Sequence, residues 1–282
     1  MQPRRRLNPK HALILVLTMA AAAFVSSQSD EIQKKAMPDI IQRDPEGQYA
    51  GDGLNFCGPC AAANALLWLG AHGYEGLLPP GRRPEIRERM LVSLLASSRY
   101  MQTAEKNQTS PAALNEGIRK YIEDCGYEIQ KFETYGFKPF EATNVVLPDV
   151  AESLKEGLQL RSVAVLHVGW YKHNKDNDEY TRFTGHYVTV VGFGHERNGA
   201  PNDRVVVIHD PWNGPGDDYV KLEPLLTGTL ITEKAGQQIK NPLKGSFKLT
   251  GEMCIYEKAD IGLLDHIHIL TLAKPKNPVP RP

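Results

Sequence analysis

The sequence lacks a long apolar run, a low-complexity linker and an excess of positive charge. The apolar run from Ala12 to Val25 has about 14 residues, whereas a helix that spans a bilayer needs roughly 20. No repeat or long Pro/Ser/Gly linker divides the 282 residues, so we expect one large domain or two tightly joined lobes. The 33 Lys and Arg residues only balance the 33 Asp and Glu residues, which argues against nucleic acid as the main partner.

The N-terminus has the pattern of a secretory signal peptide. Basic residues at Arg4–Arg6 and Lys10 precede the apolar run, and two small residues, Ser26 and Ser27, follow it. We therefore expect a signal peptide over residues 1–27 and an exported chain, periplasmic or secreted, over 28–282. Its removal takes four basic residues and no acidic ones and leaves a formal charge of −4. The alternative is an uncleaved N-terminal anchor, and only then is a membrane expected as a partner.

Cysteine is scarce, and the four residues are Cys57, Cys60, Cys125 and Cys254. In an oxidising compartment structural disulfides persist, and four cysteines allow three full pairings among which the sequence does not choose. The first two have the Cys-Gly-Pro-Cys spacing of thioredoxin-like redox proteins. That interpretation requires a buried strand leading into Cys57, but the preceding residues 44–53 have the composition of a loop.

The distribution of helix and strand signals predicts an α+β protein. Helices are expected to open at Gly58, Pro84 and Pro111, because proline is tolerated in a first helical turn. Ser110 is placed to cap the third. Gly70 and Gly126 are placed to end the first and third helices. A short helix should span residues 148–157. Strands are then predicted in five segments, at 162–170, 187–194, 204–209, 253–256 and 267–272, with a long loop at 227–245.

Three residues have the types and positions of a nucleophile, its base and an orienting acid. Cys57 stands where a helix begins, and a helix N-terminus favours the thiolate form of cysteine. His186 is expected on a rigid strand that can hold a base beside the thiol. Asp210 ends another strand before Pro211 and can fix the tautomer of the imidazole. The ordinary alternatives are a buried structural cysteine, an edge histidine and a turn at Asp-Pro.

With these residues the chain resembles the papain-like cysteine peptidases, most closely the bacterial branch related to bacteriocin leader-processing peptidases. The resemblance rests on four segments, residues 57–70, 163–170, 185–192 and 210–211. It covers roughly residues 38–215 and leaves 216–282 as a β-rich C-terminal extension. It implies a helical N-terminal lobe packed on an antiparallel β-sheet lobe, all within a single domain.

The resemblance also implies roles for the residues. Cys57 would be the nucleophile, His186 the general base and acid, and Asp210 the orienter. If papain-type enzymes proper are followed instead, the second cysteine of the motif, Cys60, becomes the nucleophile. We favour Cys57, because Gly-Pro follows the nucleophile in the bacterial branch.

One element of the family pattern is missing from its expected place. The family has a glutamine about six residues ahead of the cysteine that binds the oxyanion, and here that position is Gly51. Gln48 is the first substitute, and Asn55 and Gln42 rank behind it.

The sequence thus predicts a secreted cysteine peptidase that hydrolyses peptide bonds through a thioester on Cys57. A peptide or protein is the expected partner, and neither a cofactor nor a metal is expected. His266, His268 and Asp265 lack the further clustered ligands of a metal site, and an exposed strand face is the simpler interpretation. A non-catalytic secreted binding module with the same fold is the first alternative, and a thiol-disulfide oxidoreductase is the second.

Overall fold

The computed structural model describes residues 32–136, 150–234, 236–253 and 255–275. The predicted signal peptide and Cys254 lie outside the described residues. Within these ranges no helix combines the length and the apolar character needed to cross a membrane.

The helices confirm most of the sequence prediction. The described part contains α1 (Cys57–Ala71), α2 (Pro84–Ala96), α3 (Thr103–Lys106), α4 (Pro111–Asp124) and α5 (Val150–Gly157). Ser110 caps α4 as predicted, because its hydroxyl oxygen accepts a hydrogen bond from the N–H of Ala113 at 3.1 Å. Gly126 adopts a φ of 79° just after α4, which is the left-handed conformation of a helix stop.

The prediction that Gly70 ends α1 is wrong. The helix continues through it to Ala71. A Cβ at Gly70 would lie 2.4 Å from Cδ2 of Leu78, so the glycine allows close packing and does not provide a left-handed turn.

Among the described residues, all the strands but the first follow the first four helices. They are β1 (Ile32–Gln33), β2 (Ile129–Gly136), β3 (Ser162–Asn174), β4 (Glu179–His195), β5 (Pro201–His209), β6 (Asp218–Pro224), β7 (Thr229–Lys234), β8 (Gln237–Pro242), β9 (Phe247–Gly251) and β10 (Ile261–Leu272). The predicted loop at 227–245 is therefore wrong, since it contains the β7–β8 hairpin. The predicted strand at 253–256 is also wrong, because its described residues are turn and coil.

The strands form one large sheet that is antiparallel except where β4 and β7 run parallel. The pairings lead from β10 through β9, β6, β5, β4 and β3 back to β10, so six strands close a ring. Branched and aliphatic side chains of these strands form a buried core. The chain is thus a mixed α+β protein with a large, mainly antiparallel sheet, as the sequence predicted at that level.

The C-terminal strand is integral to this sheet. β10 pairs with β3 along almost its whole length and with β2 on its other side, and it also contacts β9. The segment that the family resemblance left unexplained therefore supplies a central strand.

Helix α1 packs between the sheet and the other helices, and nearly all of its residues are buried. The small side chains of Ala61–Ala63 allow this close approach. One polar residue, Asn64, is fully buried. Its amide accepts from the N–H of Ile40 at 3.1 Å and donates to Oγ1 of Thr189 on β4 at 3.2 Å. The Thr189 hydroxyl in turn donates to the carbonyl of Ala61 at 3.0 Å. These hydrogen bonds fix the start of α1 against β4 near His186.

Candidate active site

Cys57 is the first residue of α1 and lies half-buried in the wall of a cleft of about 990 Å³. The first N–H groups of a helix have no acceptor within the helix. The backbone N–H groups of Cys57 and Gly58, at the start of α1, therefore have no hydrogen-bond partner within the helix. Cys60 is fully buried in the core, and burial is the main reason that the pKa of its thiol is raised well above the ordinary value. The structure therefore places Cys57, and not Cys60, on the cleft.

His186 and Asp210 form a buried pair beside this cysteine. His186 lies within β4, which aligns with β5 through the pair Thr189 and His209, and Asp210 follows immediately after β5. The Nε2 atom of His186 lies 2.6 Å from Oδ1 of Asp210. The same oxygen accepts the backbone N–H of Trp212 at 2.9 Å. Both side chains are about 1% exposed, so the pair is shielded from water.

The charge on His186 is set by its two partners. Burial by itself lowers the pKa of the imidazole, but the Asp210 carboxylate and the hydrogen-bonded sulfur of Cys57 together raise it to about 10. Since Nε2 faces Asp210, we assign the contact with Cys57 to Nδ1. The structure thus brings the three predicted residues together in the order thiol, imidazole, carboxylate.

Two stacked aromatic side chains support the imidazole ring of His186. Trp170 on β3 stacks on His186 with ring centroids 4.9 Å apart and an interplanar angle of 16°. Tyr256 also stacks on the indole, with ring centroids 5.6 Å apart. Trp170 is itself buried and lines the cleft. The stack covers one face of the imidazole and restricts its rotation.

The structure does not bring Gln48 to the site. Gln48 is exposed, with a φ of 49°, and is not among the described residues that line the cleft. The reason is an excursion of residues 43–52. Arg89 holds its start through Asp44 at 2.6 Å, and Tyr49 stacks on Phe56 near its end at 5.1 Å.

The same excursion returns the chain to Gln42, which is buried and does line the cleft. Its amide nitrogen donates to the carbonyls of Gly53 at 3.0 Å and Leu54 at 2.7 Å. Its backbone N–H donates to the carbonyl of Pro211 at 2.8 Å, next to Asp210. Gln42 lies 15 residues before Cys57 in the sequence. This spacing does not show that both residues line one cleft, because the path of the intervening loop cannot be read from the sequence.

Gly53 makes the return possible. Its φ is 72°, and a Cβ there would lie 1.7 Å from the carbonyl oxygen of Gln42. Only glycine accommodates both this conformation and this approach. The segment that leads to Cys57 contains a short 3₁₀ turn, Ala50–Gly53. A thioredoxin-like site would have a buried strand in this place.

Part of the rim of the cleft is apolar and exposed. Leu54, Phe183 and Ile255 are 52%, 50% and 42% exposed, and all three line the cleft. Trp212 and Tyr256 add aromatic surface. Large apolar side chains exposed around a cleft are typical of a binding surface for apolar groups.

Two polar residues that line the cleft, His167 and Arg182, belong to a polar cluster. Arg182 donates from Nε to Asp265 at 2.9 Å, and Asp265 also accepts the hydroxyl of Tyr171 at 2.6 Å. Nδ1 atoms of His167 and His266 lie 2.9 Å apart. The expected exposed face at His266 and His268 is wrong, since both are buried against neighbouring strands. Among the described residues no group of three His, Cys, Asp or Glu side chains is arranged to hold a metal ion.

Comparison with known proteins adds no family assignment, because no model of a protein family and no curated protein matches the sequence.

The raised pKa of His186 predicts a pH dependence of stability. The folded protein keeps a proton on His186 up to about pH 10, whereas the unfolded chain loses it near the ordinary value of 6.5. This contribution to the free energy of unfolding is therefore fully present below about pH 6.5 and is lost as the pH rises to about 10. Urea unfolding across this range should show the decline in the wild type and a flatter profile in His186→Asn. Parallel profiles would contradict the assignment.

Proposed function

We propose that this protein is an exported, papain-like thiol peptidase that cleaves peptide bonds through a thioester on Cys57. The carrying observation is the contact of Cys57 with a buried His186 that is bonded to Asp210, all at the wall of one large cleft. On this proposal α1 and its neighbouring helices are the helical lobe and the sheet is the second lobe.

The geometry supports a two-step acyl transfer. The Cys57 thiolate attacks the carbonyl carbon of the peptide, and the carbonyl oxygen becomes an oxyanion. Protonated His186 gives its proton to the leaving amine, and the thioester remains on Cys57. His186 then takes a proton from water, which attacks the thioester and releases the acid. Asp210 holds the ring and stabilises its charged form in both steps.

The oxyanion requires donors at the start of α1. The backbone N–H of Cys57 is one, because it belongs to the first helical turn. Gln42 is the side-chain donor that we assign to the second position. Gln42 lines the same cleft as Cys57, and its amide would exchange one of its bonds to the carbonyls of Gly53 and Leu54 for the oxyanion.

The walls indicate the class of substrate. The rim side chains Leu54, Phe183 and Ile255 offer apolar surface to side chains on a peptide that lies across Cys57. Because the cleft has a volume of about 990 Å³ and these three apolar side chains are exposed, a peptide segment fits it better than a small polar metabolite. We therefore propose peptides with bulky apolar residues near the scissile bond as substrates.

A peptide library tests this function directly. The purified full chain should be incubated under reducing conditions with a diverse mixture of peptides, and mass spectrometry should identify the cleavage products. We expect defined cleavages with apolar residues next to the scissile bond, and none with Cys57→Ala. A folded, reduced protein that cleaves nothing would instead support a binding module.

Replacement of each glutamine by alanine distinguishes the two candidates for the oxyanion donor. Loss of one such donor costs about 10²–10³-fold in kcat, and we expect Gln42→Ala to lose activity on that scale. Gln48→Ala, which alters an exposed side chain on the excursion, should change kcat less than about twofold. Steady-state kinetics with far-UV circular dichroism as a check of folding measure both variants. A larger loss in Gln48→Ala would contradict the assignment of Gln42.

A further inference from the structure

Two thiols share the first turn of α1, and only one of them faces the cleft. Cys57 is half-buried in the cleft wall, and Cys60 is fully buried directly behind it in the core. The N–H of Cys60 donates to the carbonyl of Phe56 at 3.0 Å, so the turn between the two cysteines is helical. The reaction proposed above uses Cys57 and gives no role to Cys60.

The spacing of the pair is close to that of a disulfide. Residues three apart in a helix have Cα atoms about 5 Å apart, which falls within the range of about 4.4–6.8 Å seen across disulfides. Their Cβ atoms lie about 5–6 Å apart, against roughly 3.5–4.5 Å in a disulfide. A local tightening of about 1–2 Å would therefore join the two sulfurs.

This turn can tighten at low cost. Pro59 has no N–H, and the N–H groups of Cys57 and Gly58 precede the first hydrogen bond within the helix. The bond from Cys60 to Phe56 is the first that a tightened turn would strain. The remainder of α1 is held by its burial and by Asn64.

We propose that Cys57 and Cys60 form a reversible disulfide when a hydroperoxide oxidises the nucleophile. The Cys57 thiolate attacks the peroxide, the O–O bond breaks, and Cys57 becomes a sulfenic acid, while the leaving alkoxide or hydroxide takes the proton of His186 and departs as an alcohol or water. The Cys60 sulfur then attacks the Cys57 sulfur. The S–O bond breaks, and hydroxide leaves with the Cys60 proton as water. A small dithiol reverses the modification by thiol-disulfide exchange.

The surroundings of the two cysteines favour oxidation of Cys57 first and attack by Cys60 second. A peroxide that enters the cleft meets Cys57 first, because Cys60 is covered by the core. Burial raises the pKa of Cys60 most, followed by the negative charges of Cys57 and Asp44. Conversion of Cys57 to a neutral sulfenic acid removes one of these charges and so eases ionisation of Cys60 at the moment when it must attack.

The modification has two consequences for the protein. The disulfide removes the nucleophile, and it also protects Cys57 from irreversible oxidation to the sulfinic acid. Loss of activity depends on the proposed peptidase function. Formation of the bond does not, since it is measured on the thiols alone.

Intact-mass spectrometry of the reduced full chain treated with hydrogen peroxide tests the proposal. The wild type should lose the mass of two hydrogen atoms, and the loss should map to the peptide that contains Cys57 and Cys60. Dithiothreitol should restore the original mass. Cys60→Ala should instead gain oxygen atoms at Cys57 that dithiothreitol removes only in part. Cys125→Ala is the matched control and should behave like the wild type.

Three results would overturn the proposal. These are a wild type that gains oxygen at Cys57 without a disulfide, a disulfide from Cys57 to another cysteine, and full reversibility in Cys60→Ala. If Cys60→Ala does not fold, the peptide map of the wild type decides alone. A disulfide in a protein whose reduced form cleaves no peptide would refute the peptidase function but not this proposal.

Discussion

Replacement of Cys57 by serine is expected to lower kcat for peptide hydrolysis by roughly 10⁴-fold or more. The hydroxyl is far less acidic than a thiol, so it supplies no preformed anion for attack. His186, whose pKa is raised by Asp210 and by the Cys57 sulfur, would also lose one of the two groups that hold its proton. KM should change little, because the walls of the cleft are left intact.

The controls for this variant are the two other described cysteines. Cys125→Ser alters a half-buried thiol that does not line the cleft, and Cys60→Ala alters the buried thiol behind the nucleophile. Under reducing conditions both should keep activity within about tenfold of the wild type. If Cys60→Ala loses as much activity as Cys57→Ser while it remains folded, the nucleophile has been assigned to the wrong cysteine.

Replacement of Asp210 by alanine is expected to lower kcat by roughly 10²–10³-fold. The change removes the carboxylate that accepts the Nε2 proton of His186 at 2.6 Å and leaves a buried N–H without its acceptor. Asp210→Asn keeps an acceptor oxygen and should recover part of the loss. Both variants remove the charge that raises the pKa of His186. The alkaline limb of their pH-rate profiles should therefore move to lower pH.

A matched control for Asp210 is available nearby. Oδ1 of Asp217 lies 3.0 Å from Nε2 of His209, a similar contact between a histidine and an aspartate that does not include His186. Asp217→Asn should leave both kcat and the alkaline limb close to those of the wild type. An unchanged alkaline limb in Asp210→Asn would contradict the role given to the carboxylate.

The sequence predicted those parts of the site whose signals are local. Cys57 at a helix start, His186 in a strand and Asp210 at a strand end are each indicated by their immediate neighbours. The place of Gln42 on the cleft could not be predicted, because it depends on the excursion of residues 43–52 and on the left-handed Gly53. Neither the path of a loop nor a close backbone contact is visible in a spacing of residues.

The fold was predictable to the same extent. Helices with proline or serine at their starts were found within a few residues, because capping is a local interaction. The place of β10 between β2 and β3 was not, because pairing of distant strands is set by the three-dimensional packing. The β7–β8 hairpin was not predictable from the sequence, since β8 is polar and mainly exposed and so lacks an apolar alternation.

The most direct measurement of the central claim is the site of covalent labelling by a peptidyl epoxide, which reacts with thiols activated by an adjacent imidazole. Under reducing conditions we expect one adduct per chain, located at Cys57 by peptide mapping. The adduct should disappear in His186→Ala although the thiol is still present. A folded, reduced wild type in which Cys57 stays unlabelled, or reacts equally well without His186, would contradict the account.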